Sequence, residues 1–292
     1  MTCERLPGNN ITITRSPLRS IGSKGRLIQK HDLMQYFPEC KAWKHWNADK
    51  TKMIVHRRAY MELFAGSATM FFNLEPEPLY AILNDLDHDI FNFWNVMATK
   101  YDAFINELKF TWCGDDWIGK YETREDDVGR AMWFYLTNRY ENVLKVPVIF
   151  PKEIHFDDWK ARLDRCRLQV WNLDYKAAME KVNKMAFKED ENCMEFLVYQ
   201  DPPYVGTEDF YAASFTEKDH HVLAGLNHAC THHVIITYND CPLVRELYAD
   251  WHVLELSNYT HFKNMYNTEL LLSNRPFMQN VPGDGKTQVK LF

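Results

Sequence analysis

Long apolar runs are missing from this 292-residue chain. No stretch approaches the ~18 residues of a membrane span, and Met1-Thr2-Cys3-Glu4-Arg5 lacks the apolar region of a secretory signal. A cytoplasmic protein with no membrane partner is expected. The seven cysteines (Cys3, Cys40, Cys113, Cys166, Cys193, Cys230, Cys241) are scattered and never form a C-x-x-C pair. That excludes both a disulfide framework and a zinc ribbon. No internal repeat and no low-complexity tract appears. What is present is 46% apolar and 14% aromatic content, enough for a full core in one large domain or a domain with an insertion.

The net charge of -6 is unevenly spread. Residues 1–58 hold twelve Lys/Arg against four Asp/Glu, a local +8 that leaves -14 for the rest. A basic face on an acidic body suits a phosphate backbone docking on one side, although a solvated surface explains the excess equally well.

From Ala59 onward, short apolar runs alternate with amphipathic segments, the pattern of an α/β core around a mostly parallel sheet. Strands are predicted near 59–64, 79–84, 168–172, 194–200, 233–238, 251–256 and 268–273. Helices are predicted near 67–75, 87–98, 174–186, 217–230 and 242–249. The last two strands have no helix between them, so an antiparallel hairpin should close the sheet. Residues 99–165 break the rhythm with a Trp-containing acidic loop and an amphipathic helix, and are expected to form a helical insertion. This divides the chain into an N-terminal core half (1–98), the insertion (99–165), a C-terminal core half (166–280) and a tail (281–292).

Asp201-Pro202-Pro203-Tyr204 follows the apolar strand Met194–Gln200 directly. An acid, two prolines and an aromatic at the mouth of a buried strand form a rigid polar clamp beside a flat surface, suited to a planar amine. Upstream, the strand Tyr60–Phe64 delivers a tight turn, Ala65-Gly66-Ser67-Ala68-Thr69, and a helix N-terminus, which exposes backbone amides to a ligand. The next strand ends at Asn84-Asp85-Leu86-Asp87. Asp85 lies nineteen residues after Gly66, where an acid can accept hydrogen bonds from ribose hydroxyls, or cap the following helix as Asp87 also could. Ser16–Lys24 sets a glycine turn beside a lysine. It lacks the glycine spacing and the Ser/Thr after the lysine that a P-loop needs, so Lys24 better suits a cofactor carboxylate. His228 and His232 lie four apart with no third ligand at convincing spacing, so no metal is expected. Tyr211 and Phe215 could lid the clamp or pack in the core.

These pieces, in this order, resemble the Dam-like DNA adenine-N6 methyltransferases, over nearly the whole span from Ser16 to Pro276. The matching segments are Ser16–Lys24, Glu62–Thr69, Asn84–Asp89, Phe134–Tyr140, Asp174-Tyr175, Asp201–Tyr204, Phe210–Phe215, Thr237–Asp240 and Thr268–Pro276. The resemblance implies a Rossmann-like class I methyltransferase sheet. It also implies S-adenosylmethionine bound by Ser20, Lys24, Phe64, Gly66, Ser67, Asp85, Asp174 and Asp201. Asp201, Pro202, Pro203 and Tyr204 are then catalytic, with Tyr204, Arg139, Tyr211 and Asn239 on the substrate side. The implied partners are double-stranded DNA and a cognate restriction enzyme, in a prokaryotic cell or a phage-infected host. The chain departs from the family pattern in three places. Ser20 stands where an aromatic is usual, and Ala68 where a glycine is common. The Gly- and Arg-containing hairpin expected after Tyr140 is missing, so the recognition sequence does not transfer and RNA remains an alternative substrate. A catalytically silent nucleic-acid-binding protein on the same fold is the other alternative.

The clamp's chemistry follows from the amine. An exocyclic aromatic amine is a poor nucleophile because its lone pair is delocalised into the ring. Hydrogen bonds to the Asp201 carboxylate and the Pro202 carbonyl would localise that pair for in-line attack on a methyl group. A base inside a duplex has to be flipped out to reach such a clamp.

Overall fold

The computed structural model describes residues 13–14, 16–18, 24–46, 50–111, 119–140, 156–185, 188–189, 192–207, 215–260 and 265–277. In chain order the elements are α1 (Gly25–His31), a short 3-10 turn (Leu33–Tyr36), β1 (Ala42–Trp46), β2 (Met53–Glu62), α2 (Thr69–Asn73), β3 (Tyr80–Asn84) and α3 (His88–Thr99). Then come α4 (Tyr101–Thr111), α5 (Gly119–Glu122), α6 (Asp127–Tyr140), α7 (Phe156–Arg165), β4 (Arg167–Trp171), α8 (Tyr175–Met185), β5 (Lys188–Glu189) and β6 (Asn192–Gln200). The chain continues through α9 (Glu217–His228), β7 (His233–Asn239), α10 (Pro242–Leu247), β8 (His252–Thr260) and β9 (Met265–Ser273).

One sheet runs in the order β4-β3-β2-β6-β7-β9-β8. The first five strands of that order pair in parallel. The expected hairpin closes it, β9 lying antiparallel to β7 and β8 antiparallel to β9. Side chains alternate between two cores, one on each face. Tyr60, Leu83, Leu197, Ile235 and Leu271 point to one; Met61, Ile82, Val198, Ile236 and Leu272 point to the other. A sheet buried on both faces produces the near-continuous apolar strands seen in the sequence, each fully buried aliphatic side chain contributing about 1.5–3 kcal/mol.

β2 begins at Met53, six residues before the apolar signal at Ala59. Its first half, Met53–Arg57, is held by pairing on both sides: β1 lies antiparallel on one and β6 parallel on the other. Arg58 lies over the Trp43 ring at 4.9 Å and bonds Glu195 at 3.0 Å. Neither β1 nor β5, which pairs with the start of β6, has an apolar run to announce it.

Helices α4 to α7 lie between α3 and β4. Phe93 of α3 packs at near right angles on Phe104 of α4, and parallel to Tyr135 of α6. The stretch expected as a loop before α6 contains α5. Arg162 of α7 is buried and donates to the carbonyls of Phe71 and Leu74, which ties this helical segment to the end of α2.

The chain order reverses at β2, which has β3 on one side and β6 on the other. In an open α/β sheet, the crevice beyond the carboxyl ends of the strands at such a point is the ligand-binding position. Register pairs Glu62 with Tyr199, so the turn after β2 and the Asp201 clamp after β6 emerge side by side.

Candidate active site at the carboxyl ends of β2 and β6

Asp201 leaves the sheet one residue after β6. Its Oδ1 accepts a hydrogen bond from Thr237 Oγ1 of β7 at 2.9 Å and pairs with Lys24 Nζ at 2.9 Å. Burial pushes this carboxyl up from its ordinary value, while Lys24 and Thr237 pull it back. A carboxylate offers about four lone-pair sites, so the second oxygen has capacity for an amine. Pro202 and Pro203 are buried. After Tyr204 the chain turns through Gly206 at φ +82, with Thr207 N donating to the Tyr204 carbonyl at 2.9 Å. Glycine is required at that third turn position because a Cβ strains the left-handed backbone.

Lys24 stands just before α1 and is buried. Its Nζ donates to Tyr204 Oη at 2.8 Å and lies 3.4 Å from Glu269 Oε2 on β9. Tyr204 Oη in turn donates to Glu269 Oε2 at 2.5 Å. Burial favours the neutral amine, but Asp201 and Glu269 outweigh it and raise the Lys24 pKa, so the lysine is charged. The cation expected to meet a cofactor carboxylate thus neutralises two carboxylates of its own chain.

On the β2 side, Gly66 has φ +47 and donates its N–H to Asp85 Oδ2 at 2.8 Å. Asp85 Oδ1 accepts from Asp87 N at 3.0 Å. Burial moves the Asp85 carboxyl up to about 6, against those backbone donors. Asp87, not Asp85, caps α3, accepting from Asp89 N and Ile90 N. Trp94 of α3 holds the turn from behind by donating to the Gly66 carbonyl at 2.9 Å. Ala68 has φ +49, which explains why glycine is common at this place and shows that the alanine retains some backbone strain.

Phe64 is half-buried and packs with Tyr175 and Phe215, ring centroids 6.3 and 6.1 Å away, beside the turn. Ser67 Oγ bonds Thr69 Oγ1, and its carbonyl accepts from the Ser16 hydroxyl, which anchors the N-terminal segment to the turn. Asp174 caps α8, its Oδ1 accepting from Lys176 N and Ala177 N. Asn239 clamps the loop behind Tyr204, its amide bonding both the N–H and the carbonyl of Val205. Ser20 and Tyr211 lie outside the described residues, as does the side chain of Arg139 on α6.

Four residues of the site were given no role from sequence. Glu62 ends β2 fully buried, accepting from Tyr60 Oη and Phe71 N; burial pushes it up to about 8, against those donors. Glu269 and Thr237 hold Lys24 and Asp201 as described. Asn84 stitches three strand ends, donating to Leu63 O and Leu173 O and accepting from Leu173 N. Glu62 and Glu269 carried a signal, since an acid inside an apolar strand needs a reason to be there. Thr237 and Asn84 open two of the segments that resemble the family, but nothing in their own residue types pointed to these roles.

The turn has room for a ligand, because a Cβ built on Gly66 meets no atom within 4 Å. A carboxylate and a backbone turn beside an aromatic face fit a nucleoside, and a second carboxylate held by a lysine fits an amine. Among the described residues no group of three or more His, Cys, Asp or Glu could hold a metal, and no helix is long and apolar enough to cross a membrane.

Two solved structures resemble the chain loosely. A conserved hypothetical protein of Streptococcus pyogenes is 13% identical, with TM-score 0.29, covering 74% of this chain and 86% of its own. A protein of Haemophilus influenzae named as a methylase is 11% identical, with TM-score 0.32, covering 86% and 97%. At those scores neither likeness bears on function. No curated protein matches the chain. The model of one family matches residues 47–262, from just after β1 through the clamp to just past β8, and the chain belongs to that family, the D12 class N6 adenine-specific DNA methyltransferases, which makes it an adenine-specific DNA methyltransferase, a class that implies S-adenosylmethionine as methyl donor.

Proposed function

We propose that the Asp201 clamp receives the N6 amine of an adenine flipped out of duplex DNA, and that the neighbouring Gly66–Asp85 turn holds S-adenosylmethionine. The observation that supports this most is the adjacency of the two half-sites on paired strands, with Lys24 buried against the clamp. Asp85 is assigned to the ribose hydroxyls, Gly66 and Ser67 to the backbone lining, and Phe64 with its aromatic neighbours to the adenine of the donor. Asp174 and Ser20 complete the donor side. S-adenosylmethionine supplies an electrophilic methyl group carried on a sulfonium.

The chain's own residues supply geometry and electrostatics. Asp201 and the Pro202 carbonyl accept the two amine hydrogens, which concentrates the lone pair on nitrogen. The prolines offer no N–H to compete for those acceptors, and Tyr204 presents a ring for the flipped base. Lys24 and Thr237 keep the Asp201 carboxylate charged and oriented. Arg139, Tyr211 and Asn239 are assigned to the DNA side, Asn239 through its grip on the Tyr204–Val205 loop. Helices α4 to α7 are assigned to target recognition within 99–165. Flipping costs a few kcal/mol, to be met by contacts to the flanking phosphates from the basic N-terminal segment and these helices.

The test is transfer of labelled methyl from S-adenosylmethionine to adenine-containing duplex DNA, with sequencing of the modified base. Wild type is expected to label N6, and Asp201→Ala to lose labelling while still binding the donor in calorimetry. Labelling that survives Asp201→Ala would overturn the assignment. Competition with structured RNA tests whether duplex DNA is the preferred substrate.

A further inference from the structure

The third corner of the Lys24 cluster has no role in the chemistry above. Glu269 lies on β9, 65 residues beyond Tyr204, in a strand that otherwise runs Leu270-Leu271-Leu272 into the core. A charge placed there carries a desolvation penalty that only specific partners offset. Its partners are the two clamp elements that must not move. Oε2 accepts from Tyr204 Oη at 2.5 Å and stands 3.4 Å from Lys24 Nζ, which itself donates to the same Tyr204 oxygen at 2.8 Å. The tyrosine hydroxyl is therefore held as donor to one charge and acceptor from the other. A ring fixed at its far end in this way keeps a set tilt, and Lys24 also lies over that ring, 4.9 Å from its centroid.

We infer that Glu269 is a positioning residue for methyl transfer: by gripping Tyr204 and sharing Lys24 with Asp201, it sets the platform on which the target base lies and limits how strongly the lysine binds the clamp carboxylate. This rests on the assignment of Asp201 as the amine acceptor. The second effect follows from charge. Lys24 Nζ meets both carboxylates, and Asp201, sharing the lysine, is left a better acceptor than it would be in an exclusive ion pair. Glu269 is also among the charges that raise the Asp201 pKa, after burial and against Lys24. Removing its charge lowers that pKa.

The experiment compares wild type, Glu269→Gln, Glu269→Asp, Tyr204→Phe and Asp201→Asn on duplex DNA across pH, with donor affinity measured separately by calorimetry. For Glu269→Gln we expect kcat to fall about ten- to a hundredfold, the value of one charge-assisted hydrogen bond. Donor affinity should stay within about twofold, and the acidic limb of the kcat profile should move to lower pH, which a purely structural role does not produce. Tyr204→Phe keeps the ring and the fold, and should reproduce the kcat loss. Combining it with Glu269→Gln should add little, because both cut one hydrogen bond. Glu269→Asp should retain more activity than Glu269→Gln. If Glu269→Gln shows wild-type kcat and an unmoved limb while Asp201→Asn is inactive, Glu269 has no positioning role and the underlying assignment stands. If Asp201→Asn stays active, the underlying assignment fails. Should Glu269→Gln not fold, Tyr204→Phe with wild-type kcat overturns the inference.

Discussion

Lys24→Met isolates what the buried cation does. Methionine preserves length and apolar bulk while leaving Asp201 and Glu269, with side chains 25% and 16% exposed, facing each other without the ammonium between them. Removing one partner of a buried ion pair typically costs about 3–5 kcal/mol. Asp201 retains some solvent, which argues for the lower end, about 3 kcal/mol. In a chain of this size that corresponds to a fall in melting temperature of roughly 6–10 °C. The sign with pH is fixed by linkage. In the variant, the folded Asp201 carboxyl lies further above its unfolded value than in wild type, because burial no longer has Lys24 against it. Protonation then favours the folded state, and the deficit shrinks as pH falls toward the unfolded carboxylate range near 4. In wild type, the raised Lys24 pKa contributes stability that is present below about 10.5 and lost as pH rises through the folded value. Calorimetric melts of both proteins at pH 5, 6, 7 and 8 should show the gap widest at pH 8 and narrowest at pH 5. A gap under about 1 kcal/mol, or one of equal size at every pH, would falsify the view that Lys24 is there to neutralise these carboxylates.

Asp85, with its carboxyl raised to about 6, should accept ribose hydroxyls well only when ionised. Donor affinity measured by calorimetry is expected to be flat above about pH 7 and to weaken by up to about tenfold per unit below 6, with Asp85→Asn weaker and pH-independent. An unchanged slope in Asp85→Asn removes Asp85 from the donor site. At Gly206, φ +82 leaves open space around a new Cβ, so Gly206→Ala meets no clash and only backbone strain. Denaturant unfolding should show a loss of about 1–2 kcal/mol, and kcat should fall because the turn presents Tyr204. A neutral substitution would mean that the turn conformation is not held in solution.

Fold legibility tracked burial. The parallel strands were visible because helices cover both faces of the sheet and make β3, β6 and β7 continuously apolar. The antiparallel end was visible because β8 and β9 follow each other too closely for a crossover helix. β1 and the first half of β2 were hidden, since Lys44, His56 and Arg57 interrupt the apolar residues around them and pairing between the two strands, with Trp43 stacked on His56, is what specifies them. In the site, the Asp201 clamp, the Gly66 turn and Asp85 each had a local signature of acid, proline or glycine beside an apolar run. Asp87 rather than Asp85 proved to cap α3, one of the two options that spacing left open.

What the chain order determined by itself was the set of parts: an Asp-Pro-Pro-Tyr clamp at the end of a buried strand, a turn with an acid nineteen residues on, and a lysine near the start. Pairing belongs to the tertiary structure. Lys24 is 177 residues from Asp201, and nothing in its neighbourhood says that it enters the core beside β9 and meets Glu269 and Tyr204 there. Parallel pairing of β2 with β6 puts residues 62 and 199 in register, and the two half-sites come together only through that pairing. Local sequence fixes backbone preference and the chemistry of each side chain. Which charges share one buried volume is decided when strands far apart in the chain close on each other, because only then is water removed and each buried charge must find its partner.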